Sequence, residues 1–157
     1  MKKLFCLFLF ILILFTLGLN PDCQKKSVPF VTVLKLQDSD VAQPQDLVIT
    51  TKEKWCDFWE EVYHSPLLPC DTSKIDFKKE FVIVTALGWK PDGCYNVEIS
   101  SILKSQSNTF FVFVDDLVPS YNCICTDMIV HPIQAVKVKK PIGEIRFIHK
   151  TVYLQCK

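Results

Sequence analysis

The sequence predicts an α+β fold: a mainly antiparallel β-sheet, arranged as a sandwich or half-barrel, with one amphipathic helix packed on it. Three observations carry that prediction. A single stretch, Trp55 to Tyr63, repeats its apolar residues with helical period. Most other apolar residues fall in runs of strand length, bounded by Pro, Asn, Asp and Gly. The links between those runs are shorter than the dozen or more residues a parallel crossover needs, so successive strands should return antiparallel.

Each element follows from its residues. Phe30 to Leu36 carries Val31, Val33 and Leu34 and reads as a strand, and Gln37 to Gln45, with Asp38, Asp40 and Pro44, reads as a loop. Leu47-Val48-Ile49 is a short extended entry to the helix. Thr50-x-x-Glu53 has the form of a capping box, in which the Thr hydroxyl accepts an amide and the Glu reaches back. Trp55, Phe58, Trp59, Val62 and Tyr63 then lie on one helical face, as core-packing residues do, and Pro66 ends the helix. Phe81 to Leu87 is nearly continuous in apolar residues, as expected of a central strand covered on both faces. Pro91-Asp92-Gly93 is a turn, in which Pro presets φ, Asp bonds locally and Gly takes positive φ. Tyr95, Val97 and Ile99 alternate with polar residues in the return strand, and Thr109 to Val114 is the next. Val118 to Asn122 reads as a loop. Val136 and Val138 alternate with lysines, as in a half-exposed strand, and Pro141-Ile142-Gly143 turns into a last strand from Glu144 to Tyr153.

The 157 residues fit one domain, and 49% hydrophobic content allows a normal core. A net charge of +1 gives no footprint for nucleic acid. Met1-Lys2-Lys3 precedes an uncharged apolar run from Leu4 to Leu19. That run is shorter than the ~20 residues of a membrane span and close to the ~7–15 of a signal-peptide core. Three outcomes fit it: cleavage before Leu19, a retained helical anchor, or lipidation of Cys23 after a bacterial lipoprotein-type cut. The preceding Leu19-Asn20-Pro21-Asp22 departs from the small residues usual before such a cut. The division is therefore residues 1–22 as signal peptide, 23–29 as tether and 30–157 as the α+β domain. The chain is exported, and lodged in the cell envelope or secreted.

Cysteine parity bears on the same point. With Cys6 in the signal, Cys23, Cys56, Cys70, Cys94, Cys123, Cys125 and Cys156 remain, an odd number. Lipidation of Cys23 would leave the other six free to pair. Cys56 and Cys70 flank a short turning segment and suit each other. Cys123 and Cys125, spaced to share one face of a strand, are too close to join and each needs a distant partner, with Cys94 and Cys156 available. Cys94, Cys123, Cys125 and His131 also form a candidate zinc set, but the paired spacing of structural zinc sites is absent and export favours disulfides.

No catalytic constellation stands out, and the sequence predicts no enzyme, cofactor or metal. His64, His131 and His149 have no nucleophile beside them in sequence, no Ser sits in a G-x-S-x-G elbow, and Gly totals only 4, which leaves no phosphate loop. Asp115-Asp116 lacks calcium-loop spacing. A protein partner is the expected ligand; the alternatives are a protease inhibitor or peptide-binding module and a thiol-redox enzyme using Cys123 and Cys125. Trp89, Pro91 and Tyr121, aromatics and proline on turns, are the candidate contact residues.

The order of several segments resembles the PrcB family of bacterial envelope proteins. Trp55-x-x-Phe58-Trp59 is followed by Ile75-Asp76-Phe77, then by Gly88-x-x-Pro91-x-Gly93-x-Tyr95-x-Val97-x-Ile99. Cys123, Thr126, Pro132, Val136-Lys137-Val138-Lys139 and Ile145-Arg146-Phe147 come later, so that the resemblance runs from Leu47 to His149. Cys94 stands where the family often has a second Gly. The resemblance implies a non-catalytic accessory subunit, a small lipoprotein associated with a surface serine protease.

Overall fold

The computed structural model describes residues 25–65, 67–141 and 143–156. The expected signal peptide, Cys23 and Pro66 lie outside the described residues. In chain order the elements are β1 (Lys26–Ser27), β2 (Phe30–Leu36), β3 (Pro44–Ile49), α1 (Lys52–Tyr63), β4 (Glu80–Leu87), β5 (Asn96–Lys104), β6 (Thr109–Pro119), β7 (Ile133–Lys139) and β8 (Glu144–Leu154). They form two four-stranded sheets, β1-β5-β6-β8 and β2-β7-β4-β3. This is an α+β sandwich, with α1 on the outer face of the second sheet.

The second sheet is the middle layer, and its sequence explains why. On β4, Val82, Val84 and Ala86 point to the helix and pack with Trp55, Phe58 and Val62. Phe81, Ile83 and Leu87 alternate with them and pack against Val97, Ile99, Val112 and Val114 of the first sheet. β4 is thus buried on both faces, as its apolar run predicts. β7 shares that position, flanked by β2 and β4, and Ile133 to Val136 are all buried. The alternation with Lys137 and Lys139, which reads as a half-exposed strand, describes only its last residues.

The helix begins one residue later than the capping box suggests. Thr51, with extended backbone, is the N-cap and its Oγ1 accepts from the Lys54 amide at 3.4 Å. Thr50 belongs to the strand exit instead. His64 closes the helix in the left-handed region, its amide donating to Glu60 O at 2.9 Å. Trp55, at 1% exposure, donates its indole N–H to Asp71 O at 3.0 Å. Cys56–Cys70 ties the same turn of the helix to that loop.

Two features of the topology differ from the sequence expectation. The Pro91-Asp92-Gly93 turn does not make a hairpin: it carries the chain from β4 in one sheet to β5 in the other. Likewise β6 and β8 pair in parallel, from Thr109↔Glu144 to Pro119↔Leu154. Individual links are short, as the sequence shows, but the connection between these two strands runs through β7 in the opposite sheet, which supplies the length of a crossover. The other pairings are antiparallel. Lys26 and Ser27, read from the sequence as tether, add to β5 as a short edge strand.

A buried side chain stitches the sheets together. β5 has an irregular register between Ile99 and Ser101 that breaks its ladder with β6. Gln134 of β7, at 4% exposure, meets the Ile99 amide with its carbonyl oxygen at 2.6 Å and donates to Thr32 Oγ1 at 3.1 Å. A buried amide left over by the bulge is satisfied from the facing layer.

Candidate interaction site

The end of the sandwich where β2, β4, β6 and β8 finish is built from loops. Turn and loop residues meet there because each carries one local requirement. Gly88, at φ +63, lies where a Cβ would come within 2.7 Å of Ala42 O, so only glycine lets the chain turn off β4. Lys90 pairs with Val130 through two backbone hydrogen bonds of 2.9 and 3.1 Å. The Asp92 carboxylate accepts from the Cys94 amide at 3.0 Å, the local bond the turn sequence predicts. Gly93 is needed for a different reason from the one its turn suggests. Its φ is not positive; a Cβ there would lie 2.0 Å from Thr126 Oγ1. Its amide donates to Thr126 O at 3.0 Å. The turn after β4 and the loop before β7 therefore lie backbone to backbone.

Disulfides lock this contact. Cys94 joins Cys125, and Cys123 joins Cys156, with sequence separations of 31 and 33. Because the two closures overlap along the chain, the loop from Ser120 to Val130 is held to the β4–β5 turn and to the end of β8 together. Cys123 and Cys125 do take distant partners, as their spacing requires. They sit in loop, however, and not on a strand. With Cys94, Cys123 and Cys125 all oxidised, no thiolate of the zinc set remains. His131 points elsewhere, its Nδ1 3.2 Å from Asp38 Oδ1. Asn122 donates to Cys156 O at 3.0 Å, and the Ser120 hydroxyl to Leu154 O.

On this braced frame the apolar side chains face water. Tyr121 and Ile124 are wholly exposed, at 102% and 99%, and Met128, Ile129 and Trp89 are about half exposed. Pro91 is exposed as well. The structure thus places the sequence-predicted contact residues Trp89, Pro91 and Tyr121 at one end of the molecule, on two loops bridged by Cys94–Cys125. Ile124, Met128 and Ile129, exposed on the same loop, were not singled out from the sequence; the one signal was the place of Ile124 between two cysteines that both need distant partners.

A second cluster sits between the free edges of the two sheets. Strand alternation puts Val112, Val114 and Asp116 on the inner face of β6. His149 of β8 has Nδ1 2.9 Å from Asp116 Oδ1 and Nε2 3.0 Å from Asp46 Oδ2 on β3. Burial pulls the imidazole pKa down, but hydrogen bonds to Asp116 and Asp46 and their charges outweigh it, and the net shift is upward. With a carboxylate at each nitrogen, the doubly protonated ring donates to both. A cleft of 330 Å³ opens beside it, lined also by Gln45, Leu87 and Lys90, and no Ser, Thr or Cys side chain lines it. Asp115 and Asp116, read as a strand end, lie within β6.

The fold and the site together define an α+β sandwich with a doubly cross-linked apolar loop. No family model, curated protein or solved structure matches this chain. Three disulfides fit an oxidising environment, and no helix among the described residues is long and apolar enough to cross a membrane.

Proposed function

We propose that this chain is an exported, non-catalytic interaction domain, an accessory or stabilising subunit of a cell-envelope complex, and that the cross-linked loop is its contact surface. The observation that carries this reading is the full exposure of Tyr121 and Ile124 on a loop fixed by Cys94–Cys125 and Cys123–Cys156. Exposed aliphatic and aromatic side chains cost solubility unless a partner covers them. Fixing them beforehand removes most of the ordering entropy that binding would otherwise have to overcome. The PrcB resemblance supports a surface protease as the partner. Cysteine parity supports lipidation of Cys23, which would hold the domain at the membrane, although the residues before Cys23 depart from the usual cleavage pattern. Among the described residues no Ser, Thr or Cys side chain lines the His149 cleft, which supports binding over acyl transfer to a hydroxyl or thiol.

The test is recovery of a partner from detergent-solubilised envelopes with tagged wild-type chain and with the Tyr121→Ala/Ile124→Ala variant. Wild type should retain a specific protein and the variant should lose at least tenfold of it, as removal of central anchors does. The variant's unfolding free energy should move by less than about 0.5 kcal/mol, since neither side chain is buried. Recovery of nothing specific, or equal recovery by both chains, removes the proposal.

Ile124 favours a second reading, a peptidase inhibitor. A wholly exposed side chain between two disulfide-bonded cysteines is a rigid bait for a substrate pocket. Inhibition of a serine-protease panel that disappears in Ile124→Asp supports it, and flat activity across the panel removes it.

A further inference from the structure

The end of the sandwich opposite Cys94–Cys125 and Cys123–Cys156 carries a lysine surface, and we infer that it docks on an anionic phospholipid bilayer. Lys74, Lys79, Lys137, Lys139 and Lys140 surround a hollow of 650 Å³ that Asp76 and Glu80 also line. The start of β4 and the end of β7 bring them together, through Glu80↔Lys139 and the Lys140 amide bonded to Lys79 O at 2.8 Å. Lys137 and Lys140 are spent on structure: their ammonium groups donate to Lys74 O and Phe77 O, each at 2.7 Å. Lys74, Lys78 and Lys139 are exposed and make no hydrogen bond or ion pair through their ammonium groups among the described residues.

The first sheet adds to the same end. Lys26 pairs with Lys104 where β1 meets β5. The β5–β6 turn is in contact with the β7–β8 link, where a Cβ on Gly143 would lie 1.8 Å from Asn108 O. Asp76, Glu80 and Glu144 lie at this end too, the first two paired with Lys79 and Lys137, and other acids lie away from it. Asp38, Asp40, Asp92 and Asp127 lie in loops at the disulfide end, and Asp57, Glu60 and Glu61 lie on the exposed side of α1. Lysines are therefore in excess at one end of a chain whose net charge is only +1.

The occupant follows from where the polypeptide enters. Lys25 is the first described residue, and β1 starts beside it at the lysine end. Cys23 lies two residues before Lys25, so a lipid on Cys23, left at the N-terminus once residues 1–22 are cut off as a signal peptide, would hold these lysines within reach of the headgroups, where ammonium groups are attracted to an anionic surface. The hollow is open, and Lys74 and Lys139 at its rim have no partner for their ammonium groups among the described residues, which suits a layer of phosphates better than one shaped anion. This inference does not depend on the partner at the other end.

The experiment is flotation of the processed chain, residues 23–157, with phosphatidylcholine vesicles and with vesicles containing 30% phosphatidylglycerol. A lipid on Cys23 contributes to both, so the difference reports the charged surface. At low salt the anionic vesicles should bind at least tenfold more protein, and raising salt to 0.5 M should abolish the excess by screening. Lys26→Gln/Lys74→Gln/Lys78→Gln/Lys139→Gln should erase the preference while leaving far-UV circular dichroism unchanged. Lys35→Gln/Lys150→Gln, away from this end, should keep it. Equal binding to both vesicles overturns the inference, as does a preference that survives the four substitutions. So does retention on a nucleic-acid column with no preference among vesicles.

Discussion

The two ends of the sandwich are built differently. At the lysine end one disulfide, Cys56–Cys70, ties α1 to the loop that leads to Lys74, and the exposed groups are mostly charged. At the other end two overlapping disulfides hold the loops, and exposed apolar side chains stand on them beside the acids Asp38, Asp40 and Asp127. Under the two proposals above, a charged surface would meet a fluid lipid layer in many geometries, whereas the doubly fixed apolar loop would suit a single shape. The comparison can be broken in three ways, in order of expected effect.

The largest is removal of the covalent closure. In the chain-entropy account each overlapping disulfide of separation 31 or 33 contributes about 3–4 kcal/mol. Cys94→Ser/Cys125→Ser should therefore lower the unfolding free energy by roughly that amount in equilibrium denaturation. Amide exchange should accelerate between Ser120 and Val130 while the turn between β5 and β6 stays as it was. Uniform acceleration across both ends would mean that the disulfides support the whole core and not one loop.

The next concerns the seam that lets the ends differ. Gln134→Leu keeps the volume but leaves the Ile99 amide buried and unpaired, at an expected cost of about 1–3 kcal/mol by urea titration. An unchanged midpoint would show that the bulge finds another acceptor.

The smallest is the His149 bridge between the free edges of β3 and β8. Its folded pKa is raised, so the stability it contributes is complete below the ordinary histidine value and is lost as pH rises through the folded one. The side chain keeps 34% exposure, and screening limits the contribution to about 1 kcal/mol or less. Unfolding free energy should therefore decline slightly from pH 6 to pH 8, and His149→Gln should remove that slope. A nuclear magnetic resonance titration of the imidazole that gave a pKa below the free-histidine value would reverse the sign and discard the bridge.

Much of the architecture was legible. The apolar run Phe81 to Leu87 has nothing but a doubly covered strand to become, and the helical period from Trp55 to Tyr63 admits one reading. Local chemistry was less decisive where two residues could do the same work. Thr50 and Thr51 are both competent caps, and the tertiary entry of β3 selects the second. Gly93 was rightly singled out, but close approach to Thr126, a residue far along the chain, is what demands it. The parallel pairing of β6 with β8 was hidden because sequence displays links one at a time, and sheet membership is a property of the whole path. At the site, Trp89, Pro91 and Tyr121 were visible as apolar residues on turns. The Asp46–His149–Asp116 bridge was not visible, because its members are alternating polar residues on strands, indistinguishable in sequence from solvated ones.

The path through β7 also bears on how the sulfurs find each other. Cys123 and Cys125 are two residues apart, and their partners Cys94 and Cys156 lie on opposite sides of them in sequence. Exchange of the two partners would cross the same loop the other way, so a thiol–disulfide isomerase should raise the yield of the native pairing on reoxidation.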